Sequence, residues 1–274
     1  MKILIAGAGG FVGQALLERL AGHDLVLPSR EPEKFLRAGL KGDFPRFSGD
    51  LAGLVAAAAP EAVINLLGII RETPGASFAL VHEDYTRRLL AGARAAGVKK
   101  FIQMSALGAD PASPSAYQRS KAAGEAAVIG SGLPYVIFRP SFIFGPGQKL
   151  AGELRGLARF TPVFAAPSDS LAAPVGVDEV ARCFVRAVED PSVINEIFEL
   201  GGERTVSFRD IVAETLRSSG VWRPVLGLPR RLFYPLLPLF SLFPSPPMTR
   251  EQYLMLASPN LPSGKFRGVK DLLR

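Results

Sequence analysis

Residues 1–20 read MKILIAGAGGFVGQALLERL, and this stretch decides the fold. Met1–Ala6 is a short apolar run, Gly7, Gly10 and Gly13 follow in GxxGxxG spacing, and apolar residues then recur at helical intervals through Leu16, Leu17 and Leu20. Strand, glycine turn and helix in that order is the setting in which such a motif receives a pyrophosphate. Gly7 permits the sharp turn out of the strand. Gly10 lets an anion approach backbone amides at the positive helix end, and Gly13 leaves room for the helix to pack closely. The competing reading is an ordinary β–α turn that happens to be glycine-rich.

The totals fit an α/β protein of ordinary composition, with 274 residues, 48% hydrophobic and 21% charged. One cysteine, Cys183, excludes an internal disulfide and leads to the expectation of a reducing, cytoplasmic compartment. Met1 is nearly in the first strand, so no signal peptide is expected. The two histidines, His23 and His82, are far apart, so no metal site is expected. Net charge is +7 with the Lys and Arg residues dispersed, and no nucleic-acid-binding motif is present. An anionic cofactor, an anionic substrate and an acidic membrane surface all remain compatible with that charge.

Along the chain, Asp24–Pro28 reads as a second strand ending in Ser29-Arg30. An acidic residue near this point would hold a ribose 2′-hydroxyl, whereas arginine suits a 2′-phosphate. Ser29 and Arg30 therefore predict NADP(H) over NAD(H), against the alternative of a solvated loop arginine. Residues 47–51 close a third strand, where Asp50 either faces adenine or caps the next helix. Ala62–Gly68 reads as a strand covered on both faces, a helix spans Tyr85 to Gly97, and Lys99–Ser105 is the next strand. This alternation implies a Rossmann-like doubly wound parallel sheet, with a dinucleotide-binding part over 1–150. Residues 151–274 would complete the sheet and form a small C-terminal substrate or lid lobe. There, Asp178 reads as a helix cap and Cys183 as core filler.

Ser105 ends its strand, and Tyr117-Gln118-Arg119-Ser120-Lys121 opens a helix about a dozen residues later. Tyr117 and Lys121, four apart, share a helix face. A phenol of ordinary pKa ~10 transfers protons poorly near neutrality, and a neighbouring ammonium is expected to lower that pKa. A serine hydroxyl can hold a carbonyl oxygen while the phenol passes the proton.

These residues, with Arg139–Gly147 (RPSFIFGPG), resemble the extended and atypical branches of the short-chain dehydrogenase/reductase superfamily. Met104–Asp110, Pro114–Tyr117 and Pro246–Gln252 resemble one atypical group, which includes bacterial relatives of the NADPH-binding accessory subunit of respiratory complex I. The resemblance implies a catalytic set of Ser105, Tyr117 and Lys121, with Lys121 also reaching the nicotinamide ribose. It implies a pyrophosphate site at Gly7, Gly9, Gly10, Phe11 and Val12, and adenine between Asp50 and Leu51. Leu66, Leu67, Gly68 and Met104 would line the middle of the cofactor, and Pro140 would begin the loop beside the carboxamide. His82 stands where the family often has an asparagine that organises a relay water.

Residues 232–244 form an apolar, proline-broken stretch behind Arg230 and Arg231, too short for a comfortable membrane span. It reads as short helices over the substrate cleft, or as a peripheral membrane contact over 230–247. A hydrophobic small-molecule substrate, such as a quinone or isoprenoid, is consistent with either. The leading expectation is an NADP(H)-dependent oxidoreductase acting on a carbonyl or hydroxyl. The alternatives are a non-catalytic NADPH-binding accessory protein and a nucleotide-sugar epimerase or dehydratase. Substrate identity and oligomeric state are not legible from these residues.

Overall fold

Strand β1 (Lys2–Ala6) is buried from Ile3 onward, as an apolar run between two helical layers requires. Ile3 and Ile5 face one layer, while Leu4 and Ala6 face the other. The computed structural model describes residues 1–47, 49–240 and 248–274. Its central sheet also holds β2 (Asp24–Val26), β3 (Ala62–Asn65), β4 (Lys100–Met104), β5 (Tyr135–Pro140) and a sixth strand, Glu196–Leu200. The order is sixth–β5–β4–β3–β1–β2, and every pairing is parallel. The direction of travel reverses between β1 and β3, which opens a crevice at the carboxyl ends of those strands. The doubly wound parallel sheet expected from the sequence is therefore the fold.

Helices α1 (Phe11–Leu17), α2 (Pro32–Arg37), α3 (Leu51–Ala58), α4 (Tyr85–Ala95) and α5 (Ala116–Ile129) connect these strands. The chain continues through α6 (Lys149–Leu157), α7 (Val177–Glu189) and α8 (Phe208–Ser218). Leu16, Phe138, Phe184 and Phe198 pack on the side of α1 and α7, and Val55, Leu89, Phe101 and Val128 on the side of α3, α4 and α5. Cys183 is buried in the α7 layer, and burial pushes its thiol up to about 12, as core filler would be.

The expected third strand survives only as isolated bridges, Val26 to Asp43 and Ser29 to Arg46. Pro45 has no N–H, so the ladder between Asp43 N and Phe47 N loses its middle rung. Ser48, part of that expectation, lies outside the described residues. Asp178 does not cap α7. Gly176 occupies the cap position, Glu179 accepts its N–H at 3.1 Å, and Asp178 pairs instead with Arg19.

A small lobe forms where Phe164–Pro167 pairs in parallel with Val225–Leu228. Leu154 of α6 and Val212 and Leu216 of α8 pack against this pair. Short turns over Arg230–Leu232, Tyr234–Leu236 and Leu237–Phe240 follow, with Phe233 packed against Met248 and Tyr253. Residues 241–247, the remainder of the expected apolar contact, lie outside the described residues. No described helix is long and apolar enough to cross a membrane.

Candidate active site

The glycine loop leaves β1 with Gly7 at φ +89°, in the left-handed region. A Cβ on Gly7 would lie 3.0 Å from the Leu66 carbonyl carbon and 3.2 Å from Leu67 N, so this turn presses against the exit of β3. Gly10 N–H closes the turn onto Gly7 O at 2.9 Å, and Gln14 N–H starts the helix on Gly10 O at 3.0 Å. The amides of Phe11 and Val12 head the first turn between them. A Cβ on Gly13 would stand 2.3 Å from Ala8 O, so its small size lets α1 fold back against its own entry loop. Gly9 and Gly10 are exposed, leaving the cradle open to a ligand. Gly145 and Gly147, both at positive φ, bring the return loop to within 3.4 and 3.9 Å of Phe11 for an added Cβ.

At the far end of the cradle, Ser29 Oγ accepts Glu31 N–H at 3.0 Å and Arg30 is exposed. Arg46 reaches the same corner, donating to Arg30 O at 3.2 Å. Asp50 caps α3 by accepting Gly53 N–H at 2.9 Å, while Leu51 beside it is buried. Pro140 is buried at the end of β5, where its carbonyl accepts Leu107 N–H at 3.0 Å.

Lys121 reaches Gly68 with the Tyr117 ring beside it, and Ser105 directly follows Met104, whose carbonyl Lys121 engages. The Lys121 Nζ donates to Met104 O at 3.3 Å, and a Cβ on Gly68 would meet that Nζ at 3.2 Å. The same Nζ stands 5.9 Å from the centre of the Tyr117 ring. Ser105 is 3% exposed, and among the described residues its hydroxyl has no hydrogen-bond partner. A buried hydroxyl without a partner costs stability unless a ligand completes it. Together with a cradle whose glycines leave no Cβ in the way, it fits a dinucleotide and an oxygen-bearing substrate.

The electrostatics differ from expectation at Tyr117. Burial pushes its phenol up to about 12, and the neighbouring Lys121 does not lower it. Burial also draws the Lys121 ammonium down to about 8, with Glu125 acting in the opposite direction. Spacing brought the two side chains together, but desolvation dominates both.

His82 lies in a π-helical turn, Ala79–Asp84, that runs directly into α4. Its Nε2 accepts Ile69 N–H at 3.1 Å, which places the proton on Nδ1, 2.8 Å from Ser120 Oγ. Ser120 Oγ in turn donates to Tyr117 O at 2.7 Å. The imidazole crosses the Tyr117 ring edge-on at 5.4 Å. Burial first, then the Lys121 charge, depress its pKa to about 2. His82 is thus a neutral strut joining the loop after β3 to the tyrosine's helix.

Sequence reading missed the polar groups that hold this face. Asn65 Nδ2 donates to Thr86 Oγ1 and Gln103 Oε1 at 3.1 and 2.9 Å, and its Oδ1 accepts Leu67 N–H. Arg139 on β5 grips Glu125 of α5 through two hydrogen bonds of 2.8 and 2.5 Å. Glu251 accepts from Ser115 Oγ and Ala116 N–H at the head of α5. The only early signal for any of them was a polar residue standing in or beside an apolar run.

The chain is 31% identical to the Arabidopsis thaliana protein named NADH dehydrogenase [ubiquinone] 1 alpha subcomplex subunit 9, over 72% of this chain and 53% of that protein. It is 34% identical to the ceramide reductase of Caulobacter vibrioides, over 69% of this chain and 61% of the relative, so it spans between half and two thirds of their lengths. Its fold matches that of the NADPH-dependent quinone oxidoreductase QOR2 of Escherichia coli, solved with NADPH, with a TM-score of 0.69 at 21% identity over 93% of this chain and 86% of that one. Residues 3–168 match the model of the NAD dependent epimerase/dehydratase family, and the chain belongs to that family, within the short-chain dehydrogenase/reductase type read from its motifs.

Proposed function

We propose that this chain is an NADP(H)-dependent oxidoreductase that interconverts a carbonyl and a hydroxyl on a substrate with an apolar body. The observation that carries the reading is the buried, unpartnered Ser105 hydroxyl, one residue after the Met104 carbonyl that Lys121 holds. Nicotinamide would supply or accept the hydride. Gly7, Gly9, Gly10, Phe11 and Val12 would hold the pyrophosphate, and Arg30 with Ser29 the 2′-phosphate. Ser105 donates a hydrogen bond to the substrate oxygen and orients it. Tyr117 gives its phenolic proton to that oxygen in reduction and recovers it in oxidation. Lys121, ammonium below about pH 8, holds a ribose hydroxyl and offsets charge on the phenolate. An apolar substrate is supported by a relative named for ceramide and a structural neighbour named for quinone.

The second reading is a non-catalytic NADPH-binding protein of a respiratory assembly. It is favoured by a phenol pushed up to about 12 and by relatives named as NADH dehydrogenase subunits. One experiment separates the two. NADPH oxidation is followed with a panel of quinones and long-chain ketones, for the native protein and Tyr117→Phe. The enzyme reading expects kcat to fall about 10²–10⁴-fold with the NADPH Kd little changed. Equal turnover by both proteins would overturn the tyrosine mechanism, and tight NADPH binding without consumption would favour the second reading. In the same assay Arg30→Ala should weaken NADPH about tenfold and leave NADH unchanged.

A further inference from the structure

The small lobe ends in a surface that its own fold leaves uncovered. Phe164 N–H donates to Pro224 O at 2.9 Å just ahead of the parallel pair, so residues 160–163 and 221–224 leave that pair from the same end. Phe160 is 87% exposed and Trp222 77% exposed, the most exposed aromatic side chains described. Val163 and Leu226 beside them are also exposed. Single exposed apolar side chains are ordinary on protein surfaces, but several on two adjoining segments mark a contact.

The charges there have one sign. Residues 154–168 and 215–240 contain Arg155, Arg159, Arg217, Arg223, Arg230 and Arg231 and no carboxylate. Among the described residues no ion pair engages any of the six. Of the bordering carboxylates, Glu153 and Asp210 are held by Arg71 and Arg209, Asp169 accepts Arg230 N–H at 2.7 Å beyond the far end of the strand pair, and Glu214 stands one residue outside. Exposed aromatic rings set among unpaired arginines suit the boundary between anionic headgroups and acyl chains. The rings enter that boundary while the guanidinium groups meet phosphates.

We propose that the tip of the small lobe docks on an anionic lipid bilayer, with Phe160 and Trp222 entering the headgroup region and Arg155, Arg159, Arg217 and Arg223 meeting lipid phosphates. At its other end the strand pair leads into the exposed Leu232, Tyr234, Leu236 and Leu239. Docking rests on the lobe alone and stands whether or not the site turns over. If the oxidoreductase reading holds, docking also brings the site close to substrates dissolved in the bilayer.

Trp222 is the one tryptophan of the chain, so its emission reports the tip directly. The full chain is titrated with vesicles of equal parts phosphatidylglycerol and phosphatidylcholine, and with phosphatidylcholine alone. The expected result is binding to the anionic vesicles only, weakened by salt, with a blue-shifted emission quenched by brominated acyl chains. A variant carrying R159E and R223E should bind about tenfold or more weakly while keeping native NADPH affinity, which shows that it folds. Equal binding to both vesicles, or anionic binding with Trp222 unshifted and unquenched, overturns the proposal. So does retention on duplex DNA, or self-association that covers Trp222, without vesicle binding.

Discussion

The glycine loop and the Tyr117/Lys121 face both lie at the carboxyl edge of the sheet, against the ends of β3 and β4, yet they are made of different material. The loop is main chain: Gly7, Gly10 and Gly13 act by lacking a Cβ, and its turn closes on backbone groups. The tyrosine face is side chain: Asn65, His82, Ser120, Glu125 and Arg139 each fix a neighbour through a charged or polar group. A site made of backbone is broken by added atoms and indifferent to protonation. One made of side chains tolerates changes of shape but answers to charge and pH.

The largest test of that contrast is Glu125→Leu. Glu125 is 5% exposed and Arg139 17%, so removing the carboxylate strands a guanidinium between β5 and α5. Urea unfolding should register a loss of about 3 kcal/mol or more, recovered in part by adding Arg139→Met. Glu199 also faces Arg139, at 4.0 Å, and sets a limit on the damage. A loss below about 1 kcal/mol would mean that the tyrosine face does not depend on its ion pairs. On the loop side, Gly13→Ala places a methyl 2.3 Å from Ala8 O and should cost about 1–3 kcal/mol together with NADPH affinity. The control is Gly152→Ala in α6, where the added Cβ meets open space and helix propensity favours alanine by up to about 1 kcal/mol.

The same contrast explains what could be read from the sequence. The loop and the parallel sheet were legible because glycine spacing and apolar runs encode backbone geometry locally. Tyr117 and Lys121 were legible as partners because four residues make one helical turn. The hydrogen bonds around them were not, since Asn65 meets Gln103 across 38 positions and Ser115 meets Glu251 across 136. The direction of the Tyr117 shift was misjudged for a related reason: spacing reports nearness and says nothing of lost water. The weakened third strand did have a local sign in Pro45, which the run of residues around it concealed.

A smaller effect distinguishes the two regions by pH. Native His82 is neutral, with its pKa depressed to about 2 from an ordinary value of 6.5. The unfolded chain binds this proton below 6.5 and the folded chain does not, so the stability it contributes is complete above 6.5 and falls with pH toward about 2. The slope should reach about 1.4 kcal/mol per pH unit for one proton. Denaturation series between neutral pH and pH 5 should show this slope in the native protein and a flatter one in His82→Asn. An unchanged slope would assign the acid sensitivity to other groups and remove His82 as the strut.

The smallest expected effect lies at the head of the tyrosine's helix. Glu251 Oε2 accepts from Ala116 N–H at 2.8 Å and from Ser115 Oγ at 3.1 Å, so a carboxylate from the C-terminal region faces the positive end of α5. Glu251→Gln keeps an acceptor in place and removes only the charge. It should cost about 0.3–1 kcal/mol, with the cost shrinking as salt is added. Glu251→Ala also leaves Ala116 N–H without its acceptor and should cost more. Because Tyr117 follows Ala116 directly, loosening this cap should move the phenol before it unfolds anything. Activity falling in Glu251→Ala with stability nearly unchanged would show that the C-terminal region positions the tyrosine. Loss of both in proportion would reduce Glu251 to an ordinary helix cap.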